Sequence, residues 1–146
     1  LKTYEDKLMD SIDYLINLGR QLKKEQFIFS LVHTDLHHWN IMRENNQMMI
    51  IDWEGLKLAP PEADLMFIMK QPYKKEFINV YSKQYPSHTL NNDALRFYEI
   101  KRNLEDIWEF IVQIQEDPLI SNERRKAFSY LQKEINHLGR LLKKER

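Results

Sequence analysis

His33, Asp35, Asn40 and Asp52 have the residue types and the spacing to do chemistry together. They lie in Leu31-Val-His-Thr-Asp-Leu-His-His-Trp-Asn-Ile-Met42 and in Met49-Ile-Ile-Asp-Trp-Glu54. The skeleton is His33-x-Asp35-x4-Asn40, then Asp52 at the end of an apolar run. Phosphoryl transfer asks little of a protein beyond positioning and charge stabilisation. One carboxylate must sit at the acceptor hydroxyl. Oxygen ligands must hold Mg²⁺ on the nucleotide phosphates, because Mg²⁺ prefers hard oxygen donors. An Asp and an Asn on one loop, with a second Asp downstream, supply that set. A rival reading joins His33, His37 and His38 with Asp35 as the Zn²⁺ or Fe²⁺ site of a metal-dependent hydrolase. It leaves Asn40 and Asp52 without a role. A third reading takes the stretch as a turn-rich loop with no chemistry.

The elements that must position these residues follow from apolar spacing. Tyr4, Leu8, Ile12, Leu15, Ile16 and Leu22 predict a helix from Thr3 to about Glu25, with Thr3 and Asp6 as a capping signal. Phe27 to Val32 reads as a buried strand or extended segment, and His33 to Asn40 as a loop. Ile41–Arg43 and Met48–Asp52 flank Glu44-Asn45-Asn46-Gln47, a β-hairpin signal in which both Asn residues tolerate positive φ. Trp53 to Ala59 reads as irregular. Pro60-Pro61-Glu62 opens a helix, because Pro suits the first turn and Glu the helix dipole. Tyr73 to Tyr85 is a further helix. Asn92 or Asp93 caps a long one ending before Pro118, with the stripe Leu104, Ile107, Trp108, Ile111 and Val112. Ser121 caps the last, whose stripe is Phe128, Leu131, Ile135, Leu138 and Leu142. The expected fold is mainly α (α+β), one domain with a small β-hairpin carrying the chemical segments.

Bulk composition bounds the function. The chain has 146 residues, 42% hydrophobic and 30% charged, which fits a globular domain and excludes disorder. Twenty-two basic residues balance 22 acidic ones, so charge gives no reason to expect a nucleic-acid or membrane partner. No apolar run approaches the ~18 residues a membrane span needs. There is no cysteine, hence no disulfide framework and no thiolate metal site. The expected location is cytoplasmic. The first residue is Leu1 rather than Met, which reads as a chain cut from a longer one.

The catalytic stretch resembles the catalytic loop and metal segment of the aminoglycoside phosphotransferase (kinase-like) family. Asp35 to Asn40 has the kinase catalytic-loop spacing, and Asp52 follows twelve residues on. Asp52-Trp53-Glu54 and Pro60-Pro61-Glu62-Ala63-Asp64-Leu65-Met66-Phe67 look most like the spectinomycin-phosphotransferase branch. The resemblance implies a kinase-like C-terminal lobe over residues 1–146, with a catalytic loop at 33–40 and a metal segment at 50–54. It implies ATP as co-substrate, Mg²⁺ as cofactor, and a small-molecule hydroxyl as acceptor. By the same resemblance Asp35 is the base, His33 braces the loop, and Asn40 and Asp52 bind Mg²⁺ and the nucleotide. Asp64 anchors the loop from the next helix. Trp39 departs from the family pattern, where many members have Gly before the Asn.

Other features bear on substrate and completeness. Gly19, Gly55 and Gly139 are the three glycines, too far apart to build a phosphate-cradling loop, and no V-A-I-K-like strand precedes the catalytic loop. The N-terminal nucleotide-binding lobe is therefore expected to be absent, the isolated chain inactive, and the surface that lobe would cover open to self-association. A catalytically idle kinase-like binding module is the alternative. Glu105, Asp106, Glu109, Glu116 and Asp117 stand without a base between Leu104 and Asp117. They read as a solvated face or as a negative wall for a cationic acceptor such as an aminoglycoside. The basic last helix reads as solvated. Trp39 and Trp53 read as packing residues.

Overall fold

The computed structural model describes residues 2–116 and 121–143. In chain order it contains α1 (Lys2–Leu22), β1 (Ser30–Val32), β2 (Ile41–Glu44), β3 (Gln47–Ile50), β4 (Lys57–Ala59), α2 (Glu62–Ile68), α3 (Lys74–Gln84), α4 (Asn92–Glu116) and α5 (Ser121–Lys143). Single 3₁₀ turns occupy His38–Asn40 and Trp53–Gly55. The chain is mostly helical with a small β part, as expected. It divides into two compact units, Leu1–Gln21 with Ile100–Arg146, and Leu22–Glu99.

The first unit is helical. Ile100, Ile107, Ile135, Leu138 and Leu141 form its buried core, with Leu8, Leu15, Leu104, Ile111 and Leu131 packed around them. Spacings of three, four and seven put these side chains on one face of each helix. The observed stripes are narrower than the expected ones. Ile12, Ile16, Trp108 and Phe128 are exposed, because each falls on the flank of its helix. Glu105 and Asp106 each pair with a base one turn earlier, Lys101 and Arg102, the second pair at 2.9 Å. The run that read as a wall of unbalanced charge is thus partly neutralised from just upstream of the window in which it was counted. The side chains of Thr3, Glu116, Asp117 and Ser121 lie outside the described residues, and the capping and charge roles read for them go with that.

The second unit holds the chemical segments. β2 and β3 form the expected hairpin, Ile41 opposite Ile50 and Glu44 opposite Gln47. Asn45 and Asn46 make its two-residue turn at φ 47° and 67°, the left-handed conformation that a tight hairpin demands and Asn tolerates. β1 pairs antiparallel with β4, Leu31 opposite Leu58. This corrects the reading of residues 53–59 as irregular: three residues are too few to show an alternating pattern. Strand alternation turns Val32 and Ala59 inward onto Ala63 and the half-buried Tyr98, and leaves Leu31 and Leu58 outside, 69% and 68% exposed. α2 starts immediately after Pro61, which takes helical φ and ψ as its N-cap. α4 is capped by Asn91 rather than by Asn92 or Asp93; its side-chain oxygen accepts the Ala94 N–H at 2.9 Å. Among the described residues no helix is long and apolar enough to cross a membrane.

Candidate active site

The loop from His33 to Asn40 is held by its own backbone. The Asp35 carbonyl accepts the His37 N–H at 2.9 Å, and the His37 carbonyl accepts the Asn40 N–H at 3.0 Å. The Asn40 amide nitrogen then donates to the Asp35 carbonyl at 2.9 Å and to its carboxylate at 3.2 Å. Asn40 is buried, so these bonds satisfy a group that would be costly to leave unpaired. They also orient the amide: with the nitrogen spent on Asp35, the Asn40 oxygen is the atom left to accept. The spacing of five thus brings Asp35 and Asn40 into contact.

Asp64 fastens the loop from α2. One carboxylate oxygen accepts the His33 N–H at 2.8 Å and the other accepts the Thr34 N–H at 2.7 Å. Both bonds are charge-assisted and short. Thr34 sits at φ 72°, a conformation a β-branched residue rarely takes. The Asp64 anchor offsets that cost.

His33 joins the loop to the segment after the hairpin. Its ring Nε2 lies 2.7 Å from the Ile51 carbonyl, and its Nδ1 accepts the Asp35 N–H at 3.3 Å. The carbonyl can only accept, so Nε2 carries the proton and Nδ1 is bare. The Asn40 carbonyl accepts the Ile51 N–H at 3.0 Å. Ile51 is therefore clamped from both ends of the 33–40 loop, and Asp52 is the next residue. Asp52 is exposed, at φ 66°. Among the described residues no hydrogen bond or ion pair joins its carboxylate to Asp35 or Asn40.

An amide oxygen and a carboxylate are hard donors of the kind Mg²⁺ takes when nucleotide phosphates complete its shell, so Asn40 and Asp52 fit that ion. The transition-metal reading fares differently. Among the described residues no three His, Asp or Glu side chains are grouped to hold a metal. His33 spends both ring nitrogens on backbone, and His38 is exposed.

His37, which the sequence offered without a settled role, has its Nε2 3.3 Å from the Asp35 carboxylate, on the oxygen that Asn40 also reaches. Other contributors were not read from the sequence. The Thr34 hydroxyl donates to the Gly55 carbonyl at 3.1 Å. A Cβ on Gly55 would stand 2.4 Å from that hydroxyl oxygen. Gly55 therefore serves close approach of two backbones, a role invisible when its worth is judged only by phosphate-loop spacing. Trp53 donates its indole N–H to Ile50 and sets its ring edge-on to His33. Trp39 is 76% exposed and is not a packing residue.

The site is thus a strand-borne loop that presents an Asp–Asn pair, joined to a second Asp behind a hairpin. The chain belongs to the phosphotransferase enzyme family, whose family model matches residues 5–98. Among solved structures it is similar to spectinomycin phosphotransferase APH(9)-Ia in its AMP-bound complex, with TM-score 0.68 and 25% identity over 99% of this chain. The same enzyme in complex with ADP and spectinomycin matches with TM-score 0.62 and 25% identity over 96% of this chain. This chain spans 47% of the length of either structure. No curated protein matches.

Proposed function

We propose that this chain is a kinase-like catalytic lobe that takes part in transfer of the ATP γ-phosphate to a hydroxyl of a small molecule of the aminoglycoside or aminocyclitol class. The observation that carries this reading is the linked set of Asp35, Asn40, His33 and Ile51, which ties the acceptor-side carboxylate to the segment bearing Asp52. The ADP and spectinomycin complex of the structural relative supports the nucleotide and the acceptor class. Asp35 takes or orients the proton of the acceptor hydroxyl. Asn40 and Asp52 hold Mg²⁺, which when bound offsets charge on the phosphates. His33, in its Nε2–H form, keeps Asp35 and Asp52 in register. His37 Nε2 faces the Asp35 carboxylate at 3.3 Å and helps to orient it. Residues 1–146 act as one lobe, and the nucleotide contacts of a second lobe are required for turnover.

The test uses a version of the protein joined to a nucleotide-binding lobe. Asp35→Ala should lower kcat by two or more orders of magnitude with little change in nucleotide affinity, since general-base and orienting roles are worth about 10²–10⁴. Asp52→Ala should weaken Mg²⁺-nucleotide binding as well as turnover. Near wild-type turnover in the Asp52→Ala protein would sink the assignment.

A further inference from the structure

The unit Leu22–Glu99 holds a second polar constellation that the proposed reaction does not use. The Tyr81 hydroxyl lies 3.1 Å from His88 Nδ1, and His88 Nε2 lies 3.4 Å from Glu62 Oε1. Glu62 is 99% buried, its residue being 1% exposed, and the same oxygen accepts the Asn91 N–H at 2.9 Å. With His88 as the neutral Nε2–H tautomer, Nε2 faces the Glu62 carboxylate and the bare Nδ1 accepts the Tyr81 proton. What its oxygen has left, toward anything on its other side, is lone pairs. Burial, and after it the charge of Glu62, push the Tyr81 phenol above its usual range, so the oxygen stays a neutral acceptor.

Tyr81 also lines a cavity of about 440 Å³, together with His88, within the size range of small-molecule sites. Val32, Leu36 and Leu65 form an apolar wall, and Tyr81, Ser87 and His88 form a polar edge. No Lys or Arg lines it among the described residues. Its one carboxylate, Asp64, has both oxygens engaged by His33 and Thr34. An anion would find no cation there.

We infer that this cavity is a binding site for a small uncharged cyclic alcohol, whose ring lies on the apolar wall and whose hydroxyl donates to the Tyr81 oxygen held by His88 and Glu62. Asp35 does not line the cavity, so the bound hydroxyl is not the one presented to the base. The site is a second ligand position, beside the catalytic loop and sharing Asp64 and Leu36 with it.

The test titrates the purified chain with cyclohexanol and with cyclohexanone, which matches its shape but has no proton to donate. The readout is two-dimensional NMR of the His88 imidazole and Tyr81 ring signals. Saturable shifts are expected with cyclohexanol, with roughly tenfold weaker binding of cyclohexanone, the effect of one hydrogen bond. Ser87→Trp alters an exposed residue at the polar edge and should abolish binding of both. His88→Phe removes the acceptor of the Tyr81 proton, frees that hydroxyl to donate, and should bring the ketone level with the alcohol. Should His88→Phe fail to fold, the wild-type preference and Ser87→Trp still decide. Equal binding of alcohol and ketone to the wild type, shifts that persist in Ser87→Trp, or no saturable shift would each overturn the proposal. None of these readouts depends on phosphate transfer.

Discussion

Asp64 shows how much of the site rests on one side chain. It gives one oxygen to each of two successive backbone N–H groups, and the second belongs to a Thr in a left-handed conformation. Asp64→Asn keeps the shape but replaces one acceptor by a donor that faces an N–H. Bonds to a charged group are worth about 1.5–3 kcal/mol each. The variant should lose about 2 kcal/mol of stability in urea unfolding of the purified chain, read as a lower midpoint at unchanged slope. An unchanged midpoint would mean that the loop is held by other contacts. Asp64 was legible beforehand only through its resemblance to a family residue. The Asp35–Asn40 pair was legible from spacing alone, because the bonds that join them are local. Glu62 was not legible. It read as a first-turn acid complementing the helix dipole, whereas its partners Asn91 and His88 lie 29 and 26 residues away, and no local pattern announces such a pairing.

The hairpin and its turn were readable from two adjacent Asn residues between apolar runs, although its second strand ends at Ile50 rather than at Asp52. The β1–β4 ladder was not, because a three-residue strand has no period of its own and forms only where a distant partner offers an edge. Gly55 ties these two cases together. It lies between Asp52 and β4, and its missing side chain lets Thr34 and the Gly55 carbonyl meet. Gly55→Ala forces the Thr34 side chain or the segment to shift, a misfit costing about 1–3 kcal/mol. In a version with a nucleotide-binding lobe, the substitution should raise KM for Mg²⁺-ATP more than it changes the KM of the acceptor, because it displaces the stretch that begins at Asp52. An equal effect on both would place the strain elsewhere.

At the scale of the molecule, the two compact units carry different burdens. The helical one has a continuous apolar core and buried Ile100 and Leu138 at its centre. The other buries Val32, Ala59, Ala63, Leu65, Met66 and Ile68, and leaves Ile28, Phe29, Leu31, Leu58 and Met48 more than half exposed. Exposed apolar groups in that number mark a contact surface. Alone, the 146-residue chain carries the proposed base and Mg²⁺ ligands but no glycine-rich segment to cradle phosphates. Positioning is worth up to ~10⁵–10⁸ M in effective molarity, so the isolated chain should show negligible phosphate transfer over an aminoglycoside panel. It should also sediment as a concentration-dependent oligomer. Ordinary turnover by a preparation free of contaminating kinase would overturn this view.

Thr34, Asn45, Asn46 and Asp52 carry positive φ, and among the described residues no glycine does. For Asp52 the left-handed backbone costs roughly 1 kcal/mol that a glycine would not incur, and among the described residues no hydrogen bond to its exposed carboxylate offsets that cost. In a version with a nucleotide-binding lobe, Asp52→Gly should therefore melt no lower than the parent while losing Mg²⁺-dependent turnover, a pairing measured by calorimetry and assay on the same sample. A laboratory selection that rewarded heat resistance alone would drift toward glycine at this position; only a selection that also demanded the proposed phosphate transfer would keep the aspartate.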